Sequence, residues 1–501
     1  MLTISEDVIR NTLKQENPWW TGGSIDQTAA SYKPRAYLDP LLHLVTSLYP
    51  TRAVVLMGPR RVGKTFLIRH VIQSLLKSGS EGHDILYASL DSPVYTGCHL
   101  DQLLMLGETA TGSGSKKLKY VFFDEVQYLP DWERHLKVLV DRFPKVKFVV
   151  SGSAAAALKR KSQESGAGRF TDMLLPPLTF YEYLSLKGFY RNPMDFLDSG
   201  MSGSPEEAEL IGHMNREFVS YINFGGYPEV ALSPIVQQNP NQFVGRDIVE
   251  KVLRQDLPSL YGIDNPLEMN RLFSVLAFNT GQEVSLEGLS TSSNVGKTTL
   301  QKYMEYLEAA FLIVRLPKLD ENGRRFRKQR NFKVYLTNPS LRAGLFGPAN
   351  EDSPEFGALV ETAICAQLFH SPNFRNYSYG RWHKEEIDFV YSDPATWKPL
   401  QAFEVKWSDR TEEWQKAAKA ICRFLSKNGI QHDYHTCVTT KSTMGQVAYD
   451  SKEIVLLPTA WHCWYLGRIA SGDRTIDMLE KLERDVRSEK HSLLALLANK
   501  Q

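Results

Sequence analysis

Long apolar runs are missing from this chain: no window approaches the ~20 residues that would span a bilayer. Nor does the start, Met-Leu-Thr-Ile-Ser-Glu-Asp, show the basic residues and apolar stretch of a secretory signal. A cytoplasmic protein is expected. Cysteine is scarce and scattered, at Cys98, Cys365, Cys422, Cys437 and Cys463, with no Cys-x-x-Cys pair. Neither a zinc site nor a disulfide framework is indicated, and a reduced cytosol fits best. Charge of neither sign dominates, since 59 Lys and Arg stand against 57 Asp and Glu. A polyanion partner therefore has to be argued from local patches. No internal repeat is visible.

What is present suffices for several cores. With 501 residues, 42% hydrophobic and 23% charged, the chain reads as a globular protein of two to four domains. Residues 1–35 read as a polar leader segment with an exposed Pro-Trp-Trp at 18–20. From 36 to 180, short apolar strands alternate with helical stretches, the pattern of a parallel α/β sheet. The strands are expected at 53–57, 85–90, 120–123 and 147–150, with helices at 65–77 and around 132–142. Residues 107–115, rich in Gly, Ser and Thr, read as a mobile loop. Residues 181–264 read as a helical lid, interrupted at Phe224-Gly-Gly-Tyr-Pro228. Residues 265–333 show three helical patterns, the strand 311–316 and a basic hairpin, the outline of a winged helix-turn-helix. Residues 334–470 return to strand-rich α/β texture, and 471–501 read as a C-terminal amphipathic helix.

The octapeptide 58–65, Gly-Pro-Arg-Arg-Val-Gly-Lys-Thr, is a complete P-loop between a strand and a helix. Gly58 and Gly63 let backbone N–H groups turn around phosphate oxygens without side-chain clash. Pro59, Arg60, Arg61, Val62 and Phe66 complete the nucleotide-binding stretch. Lys64 is expected on the β- and γ-phosphates and Thr65 on Mg²⁺, with the positive helix N-terminus behind them. ATP and Mg²⁺ are the implied cofactors. Lys119-Tyr-Val-Phe-Phe-Asp-Glu125 is the matching acidic strand. Its end delivers Asp124 to the metal and places Glu125 to orient or deprotonate the attacking water. Phe148-Val-Val-Ser-Gly-Ser153 ends in hydroxyls, so Ser153 or Ser151 is a candidate γ-phosphate sensor, a plain strand-end cap being the other reading. Asn294-Val-Gly-Lys-Thr-Thr299 imitates the end of the motif, but Thr291 stands where its first glycine belongs. It is read as the turn into a recognition-like helix.

In order along the chain stand the P-loop, Phe-Asp-Glu-Val-Gln127, Ser-Gly-Ser153, Gly168-Arg169-Phe, Leu175-Pro-Pro-Leu-Thr-Phe-Tyr-Glu182 and Gly225-Gly-Tyr-Pro-Glu229. Over residues 36–466 this resembles the prokaryotic AAA-type ATPases of the archaeal-ATPase/STAND-like clade that carry a C-terminal domain of unknown function. The resemblance implies a winged helix followed by a restriction-endonuclease-like domain. It also implies that Arg169 acts on the γ-phosphate as a sensor or arginine finger, in cis or in trans, the latter requiring a homo-oligomer. Taken alone, Arg169 is equally a surface arginine.

Residues 355–466 support a nuclease core on their own. A helix carrying Glu361, a strand at 377–382, Glu386-Ile-Asp388, and Phe-Glu404-Val-Lys406 precede a helix at 413–426 and strands at 434–439 and 453–457. That αβββαββ succession is the order of the PD-(D/E)XK nucleases. Asp388 and Glu404 from adjacent strands would hold Mg²⁺, and Lys406 lies on the same strand face as Glu404. Glu361 would complete the carboxylate set. The alternative is a domain of that fold without activity. The basic segment 323–333, Gly-Arg-Arg-Phe-Arg-Lys-Gln-Arg-Asn-Phe-Lys, with aromatics interleaved, is suited to a phosphate backbone, a solvated hairpin being the other reading. Lys159-Arg-Lys161 forms a smaller patch.

The expected fold is therefore α/β: a P-loop NTPase parallel sheet with a helical lid, a winged helix-turn-helix, and a restriction-endonuclease-like domain. The expected function is ATP- and Mg²⁺-dependent DNA processing that couples hydrolysis to a nuclease-like domain. A non-cleaving ATP-driven switch binding DNA or a partner is the alternative, and a chaperone-like motor acting on protein a third.

Overall fold

Strand β1 (Ala53–Met57) is buried along its whole length, as a strand covered by helices on both faces must be. It lies inside a five-stranded parallel sheet of order β2-β3-β4-β1-β5, with β2 Ile85–Ser89, β3 Tyr120–Asp124, β4 Lys147–Gly152 and β5 Phe170–Leu174. Helices Lys64–Lys77, Leu100–Ala110 and Trp132–Arg142 alternate with the strands in the chain. The expected loop at 107–115 is helical up to Ala110, because Leu103, Leu106 and Ala110 bury an apolar face. The computed structural model describes residues 4–111, 118–152, 168–189, 191–193, 204–263, 265–325, 331–382, 385–429, 436–449 and 452–471. Ser153, Lys159-Arg-Lys161, the hairpin residues 326–330 and the tail beyond 471 lie outside the described residues.

The leader is not peripheral. β2 is an edge strand of this sheet, and an uncovered edge would leave its backbone groups unpaired. Asn17 fills that role as a surrogate strand: its Nδ2 donates to the Tyr87 carbonyl and its Oδ1 accepts the Tyr87 N–H, both at 2.7 Å. Trp19 and Trp20, expected to be exposed, are buried, with both indole N–H groups donating to the Ile85 carbonyl. A few residues on, Arg35 makes a buried two-pronged ion pair with Glu182 at 2.7 and 2.8 Å. The same guanidinium donates to the Val62 carbonyl inside the P-loop at 2.7 Å and to Pro176 at 3.1 Å.

Behind the parallel sheet lies a helical region, chiefly Pro205–Phe224, the short helix Pro228–Leu232 and the run 241–261. That run is wound in wide π-helical turns over Asn241–Glu250 and Val252–Asp256. Then comes helix Pro266–Phe278, strand β6 (Glu283–Ser285), helices Leu286–Ser293 and Lys297–Ala309, and strands β7 (Ile313–Leu319) and β8 (Asn331–Leu336). The decoy Gly296-Lys297 is indeed the entry to a helix, with Gly296 as its N-cap.

The three strands do not close a separate sheet. They continue through a parallel β7–β9 pairing into one nine-stranded sheet of order β13-β14-β12-β11-β10-β9-β7-β8-β6. Its further strands are β9 Tyr377–Trp382, β10 Glu385–Ser392, β11 Pro399–Glu404, β12 Cys437–Thr440, β13 Gly445–Tyr449 and β14 Lys452–Pro458. The expected boundary at 333/334 therefore falls inside β8. Helix Phe356–Phe369 precedes β9, and Thr411–Asn428 links β11 to β12. The β13–β14 hairpin was not expected from the sequence.

One buried and one partly buried group yield predictions. Glu182→Ala would leave the Arg35 guanidinium buried without its partner, so a loss of about 3–5 kcal/mol is expected in denaturant unfolding. His370 accepts or donates at 2.7 Å to the Tyr37 hydroxyl, and burial lowers its pKa to about 4. The unfolded chain binds that proton near pH 6.5 and the folded one does not, so stability falls as pH drops from 6.5 toward 4. Between pH 7.5 and 5 the wild type should lose about 2 kcal/mol through this group. A His370→Gln variant should lack that share in parallel unfolding titrations.

Candidate nucleotide site and acidic pocket

The P-loop leaves β1 inside the sheet, between β4 and β5, where the strand order reverses, the position at which open α/β sheets bind ligands. Gly58 is required by close approach, since a Cβ there would stand 2.2 Å from the Leu175 carbonyl oxygen. Gly63 is required by its backbone, at φ 96°. Helix Lys64–Lys77 starts directly after it, so its N-terminal N–H groups face the loop. Lys64 is buried, and its ammonium donates to the Gly58 and Pro59 carbonyls at 3.1 and 2.9 Å. Burial lowers its pKa, with Glu125 and Asp124 opposing the shift.

Asp124 is wholly buried at the end of β3. One carboxylate oxygen accepts the Thr65 hydroxyl at 2.6 Å and the Tyr87 hydroxyl at 3.0 Å; the other accepts the Ser151 hydroxyl. Burial, then the neighbouring Glu125, pushes its pKa up. A hydroxyl and a carboxylate side by side at a phosphate-binding loop fit a magnesium ion, held by Thr65 and Asp124. Glu125 takes a left-handed conformation, φ 56°, which turns it out of the strand direction. Its N–H donates to Ser151 Oγ at 3.3 Å, and its carboxylate accepts Gln127 Nε2 at 2.5 Å. Ser151 is thus joined to both acids, whereas Ser153 lies outside the described residues.

The remaining loop positions behave differently. Val62 is core. Phe66 is 43% exposed, edge-on to Tyr32 at 5.4 Å, on the outside of the helix. Arg60 makes a two-pronged ion pair with Asp256, both bonds at 2.7 Å, and Arg61 pairs with Glu229 and with Asp247 at 2.7 Å. Those acids belong to the helical region after the core and had no assigned role in the sequence. The structure does not bring Arg169 to the P-loop of its own chain. Its carbonyl accepts the Ala53 N–H at the beginning of β1, while the P-loop leaves the other end, and its guanidinium pairs with Asp141 at 3.0 Å. The parallel register of β1 and β5 keeps it about one strand length, ~17 Å, from its own P-loop, so it cannot act there in cis.

The second set of predicted residues does converge. Asp388 on β10 and Glu404 on β11 meet across the antiparallel pair: the Asp388 N–H donates to Glu404 at 3.0 Å, and the Val405 N–H to Asp388 at 2.9 Å. Lys406 donates to Glu404 at 2.8 Å, and Glu361 faces them from helix Phe356–Phe369. These groups line a cavity of about 930 Å³. Lys333 was expected on a DNA-facing hairpin, yet it is buried here. Its ammonium touches Glu361 at 2.7 Å, Glu386 at 2.8 Å and Asp388 at 3.1 Å. It enters because β8 belongs to the same sheet, a pairing the sequence had no means to display. Burial alone would depress Lys333, but the surrounding carboxylates hold it well above the usual lysine range. Burial followed by the Asp388 charge raises both Glu361 and Glu404. Among the described residues no group of three or more His, Cys, Asp or Glu side chains is set to hold a metal ion. In this arrangement the Lys333 ammonium takes the space a cation between Asp388 and Glu361 would need.

Comparison with known proteins agrees with the first site. Residues 50–184 match the model of the AAA domain family. That match supports a P-loop AAA ATPase. Residues 215–352 match a domain of unknown function, DUF8612. An uncharacterized protein of Methanocaldococcus jannaschii is 26% identical over 75% of this chain and 80% of its own length. One from Mycobacterium tuberculosis is 29% identical over 66% of this chain and 65% of its own. Among solved structures, the Aeropyrum pernix Orc1 protein in complex with DNA aligns at 12% identity and a TM-score of 0.29, over 65% of this chain and 94% of that one. At such scores the likeness carries nothing about activity. No helix among the described residues is long and apolar enough to cross a membrane.

Lys64→Ala is expected to lower ATP turnover by about 100-fold or more, since it removes the buried P-loop cation expected on the β- and γ-phosphates. Phosphate release, with circular dichroism to confirm the fold, measures it.

Proposed function

We propose that this chain is an ATP-driven switch that binds nucleic acid and passes the state of its nucleotide to the nine-stranded C-terminal sheet. The carrying observation is one continuous run of contacts. Arg60 and Arg61 in the P-loop hold Asp256, Asp247 and Glu229 of the lid. The lid run packs on helix Ser340–Phe346 so closely that a Cβ on Gly245 would meet the Gly344 carbonyl at 2.6 Å. That helix follows β8, which carries Lys333 into the acidic pocket. Phosphate charge at the loop competes with the three lid acids for Arg60 and Arg61, so lid position follows nucleotide state. Lys64 binds phosphate oxygens, Thr65 and Asp124 would hold the magnesium, and Glu125 orients the attacking water. The magnesium, when bound, supplies charge stabilisation at the β- and γ-phosphates.

Nucleic-acid binding is supported by the order helix, β6, helix, helix, β7, β8 over residues 266–336, which is that of a winged helix, with Lys297–Ala309 in the recognition position. Of the expected basic contacts, Arg324 keeps an exposed place while Lys333 does not.

A second reading, metal-dependent cleavage by a PD-(D/E)XK-like centre, is favoured by the convergence of Asp388, Glu404 and Lys406. Lys333 among the carboxylates favours the switch. The deciding experiment combines duplex binding with plasmid-nicking and linear-duplex cleavage in Mg²⁺ or Mn²⁺, with and without ATP. Nucleotide-dependent binding without product is expected, the dependence being lost in Lys64→Ala. Cleavage that disappears in Lys406→Ala would overturn the switch in favour of the nuclease.

A further inference from the structure

Away from the acidic pocket, three pieces of chain enclose a cavity of about 940 Å³: the turn after β7, the β10–β11 hairpin and the end of helix Thr411–Asn428. It is a built feature. Gly323, at φ 68°, packs so tightly on the hairpin that a Cβ would lie 2.4 Å from Pro399 Cγ. Asn428 Nδ2 donates to the Glu321 carbonyl at 3.3 Å, and Lys427 pairs with Glu321 at 2.9 Å. Asp393 locks the hairpin by accepting N–H groups from Ala395 and Thr396 at 3.0 and 2.6 Å.

On this frame stands Trp397, 50% exposed and in the left-handed region at φ 60°. Nothing in a β-hairpin calls for a large aromatic there; glycine or asparagine is the residue such a conformation favours. Its ring lies 4.5 Å from the Arg325 guanidinium carbon. Arg325 is itself fixed, donating to the Ser378 hydroxyl and the carbonyls of Arg375 and Tyr377. An indole backed by a pinned cation, half open to solvent, is a platform for a flat π-system. Exposed Arg324 and Lys398 flank it. Of the acids in the same turns, Asp320 and Asp393 each hold backbone N–H groups through Oδ1, and Glu321 pairs with Lys427.

We propose that this groove binds single-stranded nucleic acid, with a base stacked on Trp397 and the flanking phosphates on Arg324 and Lys398. An acidic peptide would satisfy the cations but not the open indole, and a duplex keeps its bases stacked away from it. The proposal rests on the nucleic-acid reading above and assigns it a strand-selective contact separate from the winged-helix elements.

Fluorescence anisotropy of labelled (dT)20, (rU)20 and a 20-base-pair duplex with the full chain tests it. Trp397→Ala should weaken (dT)20 by about 10-fold while leaving the duplex unchanged, and Trp397→Phe should recover most of the loss. The two oligonucleotides report whether the strand is DNA or RNA. Trp397→Gly relieves the left-handed backbone against the lost ring packing, and its Tm, read beside its unchanged duplex binding, separates a loss of strand binding from a loss of fold. Equal weakening of strand and duplex, or no weakening of either strand, overturns the groove alone. Failure of the wild type to bind any of the three overturns the groove together with the nucleic-acid reading.

Discussion

Much of this molecule hangs on one buried ion pair, Arg35 with Glu182. Its guanidinium also reaches the Val62 carbonyl inside the P-loop and the Pro176 carbonyl, so three separate stretches of chain meet on one planar cation. An arginine buried this deeply is tolerated because its Nε and both terminal nitrogens find oxygens, four hydrogen bonds in all. Burial would raise the Glu182 pKa, but Arg35 and further hydrogen bonds hold it below the usual range, so the pair stays charged. Glu182 also closes the N-terminal cap of helix Phe180–Leu186 with Thr179, which ties the nucleotide loop to the start of the following region.

From that anchor two chains of charge run in opposite senses. Toward the helical region that follows the core, cations of the P-loop face its acids, in contacts that are partly exposed. Toward the C-terminal sheet, carboxylates crowd a pocket whose compensation comes from Lys333 and Lys406. Burial there makes uncompensated charge costly, so the positions of β8 and of the carboxylates are coupled. The tight Gly245–Gly344 crossing joins the two chains mechanically.

The P-loop and its acidic partner strand were legible as local patterns, whereas the partners of Arg60 and Arg61 were not. A P-loop depends on local geometry, two glycines and a helix start, and its partner strand announces itself by four apolar residues and an acid. The order Asp388, Glu404, Lys406 was legible too, because Asp388 and Glu404 lie on the paired strands of one hairpin and Lys406 follows two residues after the second, just past its end. The leader was misread because its tryptophans sit in a polar stretch, and only the uncovered edge of β2 accounts for burying them. Arg169, carried over from the resemblance, stands before the start of β5 and away from the P-loop of its own chain, because strand polarity determines which end of a sheet a residue occupies. Lys333 looked like one more cation of a basic hairpin, until β8 joined a sheet shared with β9 and β10.

By itself, then, the sequence determined what is local: the phosphate-binding loop, the acidic strand end, the helix starts, and the spacing of an acid–lysine motif. Tertiary structure alone decided which charges meet, namely Arg35 with Glu182, Arg60 with Asp256 and Lys333 with Glu361 and Asp388. The reason is physical. Backbone geometry is specified by neighbours within a few residues, whereas a buried ion pair joins positions far apart in the chain and is specified only by packing.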